Sequence, residues 1–144
     1  MQETDTTELL VRFQEVCRRH ELKVTPQRLA IYRELMTSDK HPSAEAMYRR
    51  IREDYPSISF DTVNRTLHTF AEIGVVDVVE GWGQPRRFDP NTRAHHHVHC
   101  IRCGEIEDFA CEAYDRLKVP PAISHRFRIT GRRVVLAGVC RKCR

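Results

Sequence analysis

The chain has 144 residues, 40% of them hydrophobic and 31% charged, and a formal net charge of +4, the make-up of a soluble globular protein of one or two small domains. No apolar run approaches the roughly 18 residues that a membrane span needs. The opening MQETDTTELLV is too acidic and polar for a secretory or transit signal, so a cytoplasmic location with reduced thiols is expected.

The positive charge is unevenly placed. Residues 1–86 hold 12 Lys and Arg against 14 Asp and Glu, and residues 87–144 hold 12 against 6. Bulk charge therefore does not mark the first half as a nucleic-acid binder. Its local basic cluster, Arg18, Arg19, Lys23, Arg28 and Arg33, does suggest a polyanionic partner.

In chain order, Leu9, Phe13, Val16 and Cys17 recur at helical spacing. Thr25-Pro26 supplies an N-cap and a proline at the first helical position, where a missing N–H is harmless. Leu29, Tyr32, Leu35 and Met36 give the second helix its apolar stripe. His41-Pro42-Ser43 leads into a third helix with Ala44, Met47, Tyr48 and Ile51 inward, and Pro56 ends that region. Ser57 or Ser59 caps a fourth helix with Phe60, Val63, Leu67 and Phe70 on its apolar face and Gly74 at its C-cap. The other face carries Asp61, Thr62, Asn64, Arg65, Thr66 and His68, short polar groups suited to a major groove. Residues 75–80, the turn Gly81-Trp82-Gly83-Gln84 and residues 85–88 then read as a β-hairpin. Helices followed by such a hairpin make a winged helix-turn-helix.

The second half changes character. Residues 98–101 and 105–109 read as strands around the Cys100–Cys103 knuckle, and residues 112–119 as a short helix broken by Pro120-Pro121. Residues 127–130 and 133–139 read as two further strands before the closing Cys140-Arg141-Lys142-Cys143. This α+β piece is too small for a deep core, a shortage that structural metals commonly remedy.

Cys100, Cys103, Cys140 and Cys143 form two CxxC pairs. Each pair turns two sulfurs toward one centre, and two pairs complete a tetrahedral site that thiolate softness reserves for zinc or an iron–sulfur centre. With four cysteines no coordination position is open, so its role is structural. In His95-His96-His97-Val98-His99, strand alternation puts His95, His97 and His99 on one face. Imidazoles two residues apart can grip one ion, with Asp89, Asp108 and His41 as candidates to finish the shell. That harder donor set suits Fe(II), Mn(II) or a second Zn(II) and is more exchangeable.

Taken together, LKVTPQRLAIYREL, HPSAEAMYRRI, ISFDTVNRTLHTFAEIGVV, RRFD, HHHVHCIRCGEIEDF and the terminal CRKC resemble the ferric uptake regulator family almost end to end. The resemblance implies an α+β chain: a winged-helix DNA-binding domain (1–86), a hinge (87–94) and a small α/β dimerisation and metal-binding domain (95–144). It implies a homodimer with structural zinc on the four cysteines, and regulatory Fe(II) or Mn(II) at the hinge on His41, Asp89, His95, His97 and Asp108. Such a protein is a transcriptional repressor on a double-stranded DNA operator, not an enzyme. Aspartate at both 89 and 108 favours the family's peroxide-sensing branch, in which iron-driven oxidation of a ligand histidine, here His41 or His95, lifts repression. An iron- or zinc-uptake regulator is the alternative within the family.

Two features depart from the family pattern. Asn64 stands where tyrosine is usual, and asparagine can pair bidentately with adenine. Ala94 and Arg132 replace the histidines of an additional metal site, so no third metal is expected despite Asp115. For DNA contacts we select Thr62, Asn64, Arg65 and His68 in the groove and Arg19 on the backbone or in the minor groove. A metallohydrolase using the histidine cluster is the reading from another class; it lacks an evident general base and leaves the helix-hairpin half without a task.

Overall fold

A computed structural model describes residues 3–38, 41–79 and 85–144, with side chains of the first helix from residue 6 onward. The chain divides into two compact units, Met1–Thr92 and Arg93–Arg144.

The first unit contains α1 (Glu3–Arg19), α2 (Pro26–Thr37), α3 (Ala44–Asp54), α4 (Phe60–Glu72) and the antiparallel strands β1 (Asp77–Val79) and β2 (Arg87–Asp89). Its helix starts are chemically enforced. Thr25, Ser43 and Ser59 each accept a hydrogen bond from the backbone N–H three residues on, at 3.2, 3.2 and 3.1 Å, satisfying donors that a helix N-terminus otherwise leaves orphaned. The end of α4 is set by Gly74, at φ +80°. There the Val75 N–H donates to the Phe70 carbonyl and the Gly74 N–H to the Ala71 carbonyl, a Schellman closure that glycine reaches without steric strain.

The helices pack around Phe13, Tyr32 and Phe70. Phe13 stacks on Tyr32 at 4.1 Å between centroids, and Phe70 meets Phe13 edge-on at 5.2 Å. Ile31, Leu35, Met47, Val63 and Leu67 are fully buried around them. Burial pushes the Tyr32 hydroxyl up to about 12, so it remains a neutral member of this core. The hairpin pairs Val78 with Phe88 and anchors back on the start of α3: the Phe88 N–H donates to the Pro42 carbonyl at 3.0 Å. This unit is a winged helix-turn-helix. The expected turn at residues 81–84 lies outside the described residues.

Two expectations for α4 are corrected here. Phe60, placed in the core stripe, is 44% exposed, whereas Thr66, placed on the polar face, is buried. A helix turns about 100° per residue, so Val63, Thr66, Leu67 and Phe70 define the inward stripe and Phe60, a turn earlier, overshoots its edge. Thr66 tolerates burial because its hydroxyl donates to the Thr62 carbonyl at 2.7 Å. Residues 75 and 76 are buried but precede the strand, being taken up by the helix closure. Residues 87–89, expected in the hinge, are the second strand of the hairpin.

The second unit contains β3 (His96–Cys100), β4 (Ile106–Phe109), α5 (Glu112–Asp115), α6 (Pro121–Ser124) and β5 (Val135–Gly138). The sheet order is β4-β3-β5, with β4 antiparallel and β5 parallel to β3. Residues 127–130 form no strand, and the expected 112–119 helix stops at Asp115. Both edges of β3 are taken by β4 and β5, and Phe127 is 56% exposed. Pro121 opens α6 at a position where proline is tolerated. No helix among the described residues is long and apolar enough to cross a membrane.

Candidate metal centres and nucleic-acid interface

The second unit builds two donor clusters from one strand. Cys100 ends β3, Cys103 follows in the knuckle, and the chain runs from β5 directly to Cys140 and Cys143. The four sulfurs lie within 4.8 Å of one another, and the Sγ atoms of Cys103 and Cys140 are 3.7 Å apart. Tetrahedral zinc with bonds of about 2.3 Å sets its sulfurs roughly 3.8 Å apart, so this donor set fits a structural zinc. The Cys140 N–H donates to the Cys100 sulfur at 3.3 Å. That amide and the amide of Cys103 hold the Cys100 thiol down to about 6, making it a thiolate, the ligating form, at neutral pH. Cys143, sharing protons with Cys140 and Cys103, is pushed up to about 12.

On β3 the pleat sends His96 one way and His95 and His97 the other. The Nδ1–H of His95 donates to the Arg93 carbonyl at 2.6 Å; in the neutral ring this leaves Nε2 with an open lone pair. That Nε2 lies 3.0 Å from Nε2 of His97, which lies 3.1 Å from Oδ1 of Asp108. Adjacent ligand atoms around an ion with bonds of about 2.1 Å stand roughly 3.0 Å apart, so these spacings fit a nitrogen–oxygen site. His95 and His97 are buried, whereas the Asp108 carboxylate is one-third exposed.

The first unit carries a separate pair. Nε2 of His41 lies 3.2 Å from Oδ2 of Asp89, with both side chains buried. Oδ1 of Asp89 accepts the Asn91 N–H at 2.8 Å, so the carboxylate is oriented. His41 has a φ of +45°, a left-handed conformation uncommon for a residue with a Cβ. Its carbonyl accepts from Nε of Arg87, and burial lowers the Arg87 pKa.

His96 and Arg87 were not singled out from the sequence as supports of these clusters. His96, fully buried, accepts the Val134 N–H at Nδ1 and meets Asp115 at Nε2, each at 3.1 Å. Strand alternation predicted its direction, but a hydrogen bond to Val134, 38 residues away, leaves no local signal. Arg87 lay within the RRFD string without any indication that it binds the His41 carbonyl.

The residues expected to touch DNA lie on one unit but not in one state. Arg65 is exposed and pairs with Asp61 at 3.0 Å; Arg19 is exposed and pairs with Glu15 at 3.3 Å. Thr62 is exposed, with its hydroxyl 2.9 Å from that of Ser59. Asn64 and His68 are half-buried and line a hollow of about 290 Å³ with Phe60, Glu45, Pro85 and Arg86. The His68 ring meets Phe88 of the wing edge-on at 5.6 Å.

A winged helix-turn-helix in one chain with a thiolate centre and a histidine–carboxylate cluster defines a metal-responsive transcription regulator. The profile of the ferric uptake regulator family matches residues 19–137. The peroxide-responsive repressor PerR of Staphylococcus aureus is 35% identical over 122 residues, covering 85% of this chain and 82% of the relative. The peroxide stress regulator of Campylobacter jejuni superposes with a TM-score of 0.67 at 30% identity, covering 90% of this chain and 98% of that one. The ferric uptake regulator of Helicobacter pylori shares the fold, with a TM-score of 0.73 at 22% identity over 95% of this chain and 92% of its own. The chain belongs to the ferric uptake regulator family.

Proposed function

We propose that this protein is a cytoplasmic, homodimeric repressor that binds operator DNA while Fe(II) or Mn(II) occupies a regulatory site, and that peroxide releases it. The carrying observation is the convergence of the His95 and His97 Nε2 atoms on the Asp108 carboxylate, matched in the other unit by the His41–Asp89 pair. In this reading the five side chains close on one ion, joining the units. An ion that binds only the joined arrangement shifts the population toward it by its differential affinity. The dimer then presents two recognition helices at the spacing of successive major grooves, about 34–36 Å.

Each side chain has a task. Arg93 fixes the ring of His95 through its carbonyl, Asn91 fixes Asp89, and Arg87 holds the His41 backbone, so the donors are oriented beforehand. The cysteine cluster holds structural zinc, and its four thiolates leave no open position. Homodimerisation is supported by the second unit's surface, where Ile101, Leu117, Ile123, Phe127, Ile129 and Leu136 are exposed. Arg19, Thr62, Asn64, Arg65 and His68 supply the DNA contacts.

Peroxide sensing is supported by the aspartates at 89 and 108 and by the likeness to a peroxide-responsive repressor. Fe(II), held by His41, Asp89, His95, His97 and Asp108, would supply the reducing equivalents for peroxide. His41 and His95 would be the imidazoles that take up oxygen; oxidation would remove a donor and release the clamp. Brief peroxide treatment of the iron-loaded protein, followed by peptide mass spectrometry, is expected to add one oxygen at His41 or His95, and none to the manganese-loaded protein. Unmodified histidines together with unchanged operator binding would favour an iron- or zinc-uptake regulator instead.

A further inference from the structure

We propose that Phe60 reads a thymine methyl group in the major groove and is a specificity determinant of this protein, an inference that rests on the DNA-binding reading above. Phe60 begins α4 and is 44% exposed, although its place in the sequence pattern pointed to the core. The exposed ring is supported: it meets Tyr48 edge-on at 5.9 Å, and the Arg52 guanidinium lies over Tyr48 at 5.4 Å from its centroid. A braced aromatic presents a fixed apolar surface with little rotamer entropy left to lose.

Its neighbours indicate what that surface meets. Phe60, Asn64 and His68 follow at intervals of four, the spacing that stacks side chains on one helix face, and all three line the same hollow beside Pro85 and Arg86 of the wing. Asn64 and His68 offer hydrogen-bonding groups; Phe60 offers none. Among base edges in the major groove the thymine C5-methyl is the one apolar feature, and a phenyl ring contacts it favourably. Arg52, exposed and over Tyr48, adds positive charge for the backbone, while Arg49 pairs with Glu45 and Arg65 with Asp61. An amide able to pair with adenine beside a ring able to contact thymine would let this face read A·T steps.

The test uses the full-length, zinc-containing, manganese-loaded protein and a duplex it enriches from random-sequence DNA. Each thymidine of that duplex is replaced in turn by deoxyuridine, which keeps every hydrogen-bonding group and loses only the methyl. The wild type is expected to bind about fourfold more weakly at the thymine Phe60 contacts, since burying one methyl-sized group is worth roughly 0.8 kcal/mol. Phe60→Ala is expected to bind thymidine and deoxyuridine at that position alike, and Phe60→Leu to recover part of the discrimination. A melting temperature within a few degrees of wild type would show that the substitution acts on recognition rather than folding. Indifference of the wild type to every deoxyuridine, or equal discrimination by Phe60→Ala, would overturn the proposal while leaving DNA binding intact. Failure to enrich any duplex would overturn the DNA-binding reading, and this assignment with it.

Discussion

Replacing Cys140 with serine is expected to empty the structural zinc site, unfold the second unit and abolish the dimer, while the first unit stays folded. The second unit has little else to hold it: among its described side chains Cys100 and Ile106 are the only buried hydrophobic residues, and the rest of its buried interior is His95, His96, His97 and His99. The cysteine cluster also does topological work. β5 lies parallel to β3 and runs directly into Cys140, so pinning Cys140 and Cys143 to the Cys100–Cys103 knuckle fixes the end of that strand. Structural zinc supplies about 10–16 kcal/mol in small domains, more than the whole margin of stability of most folds. The first unit has its own aromatic core and depends on none of this. Zinc content by mass spectrometry, size-exclusion chromatography and thermal melting check the outcome. A zinc-replete dimeric Cys140→Ser protein would refute the structural assignment.

The second large effect is expected at His41. His41→Ala should keep the fold, the zinc and the dimer, and lower the affinity for the regulatory ion by more than a hundredfold. Outer-shell partners of metal ligands are already worth about 10–100-fold, and in the proposed assignment a ligand itself is removed. The backbone at position 41 is held independently of the imidazole, through its carbonyl to Arg87 and through the neighbouring Pro42 carbonyl to the Phe88 N–H, so the unit should survive. Operator binding titrated with Mn(II) is the readout. A midpoint unchanged from wild type would show that His41 is not a ligand.

The physics of what was legible divides by range. The caps at Thr25, Ser43 and Ser59, the closure at Gly74 and the two CxxC pairs are local features, readable because the partners lie within a few residues. The winged-helix architecture followed from them. Phe60 and Thr66 were exchanged because a periodic pattern fixes the angle of a stripe only to within about one residue; which flank is covered depends on where α3 ends against α4. The expected strand at residues 127–130 needed a partner strand that no local pattern names: β4 and β5 take both edges of β3, and Phe127 and Ile129 stay exposed. His95, His97 and Asp108 could be nominated from strand alternation, and the cross-strand pairing of His97 with Asp108 brings them together. The hydrogen bonds that orient the donors, from His95 to the Arg93 carbonyl and from Arg87 to the His41 carbonyl, depend on backbone paths that no spacing rule encodes.

The central claim is that an exchangeable ion sets the affinity for DNA while zinc keeps the scaffold. Its most direct test is operator affinity in two preparations of the same dimer, both with the cysteine site full, one stripped of the regulatory ion and one loaded with Mn(II). The loaded form is expected to bind at least a hundredfold more tightly, with the difference erased by chelation and restored on reloading. Equal affinity in the two preparations would contradict the account.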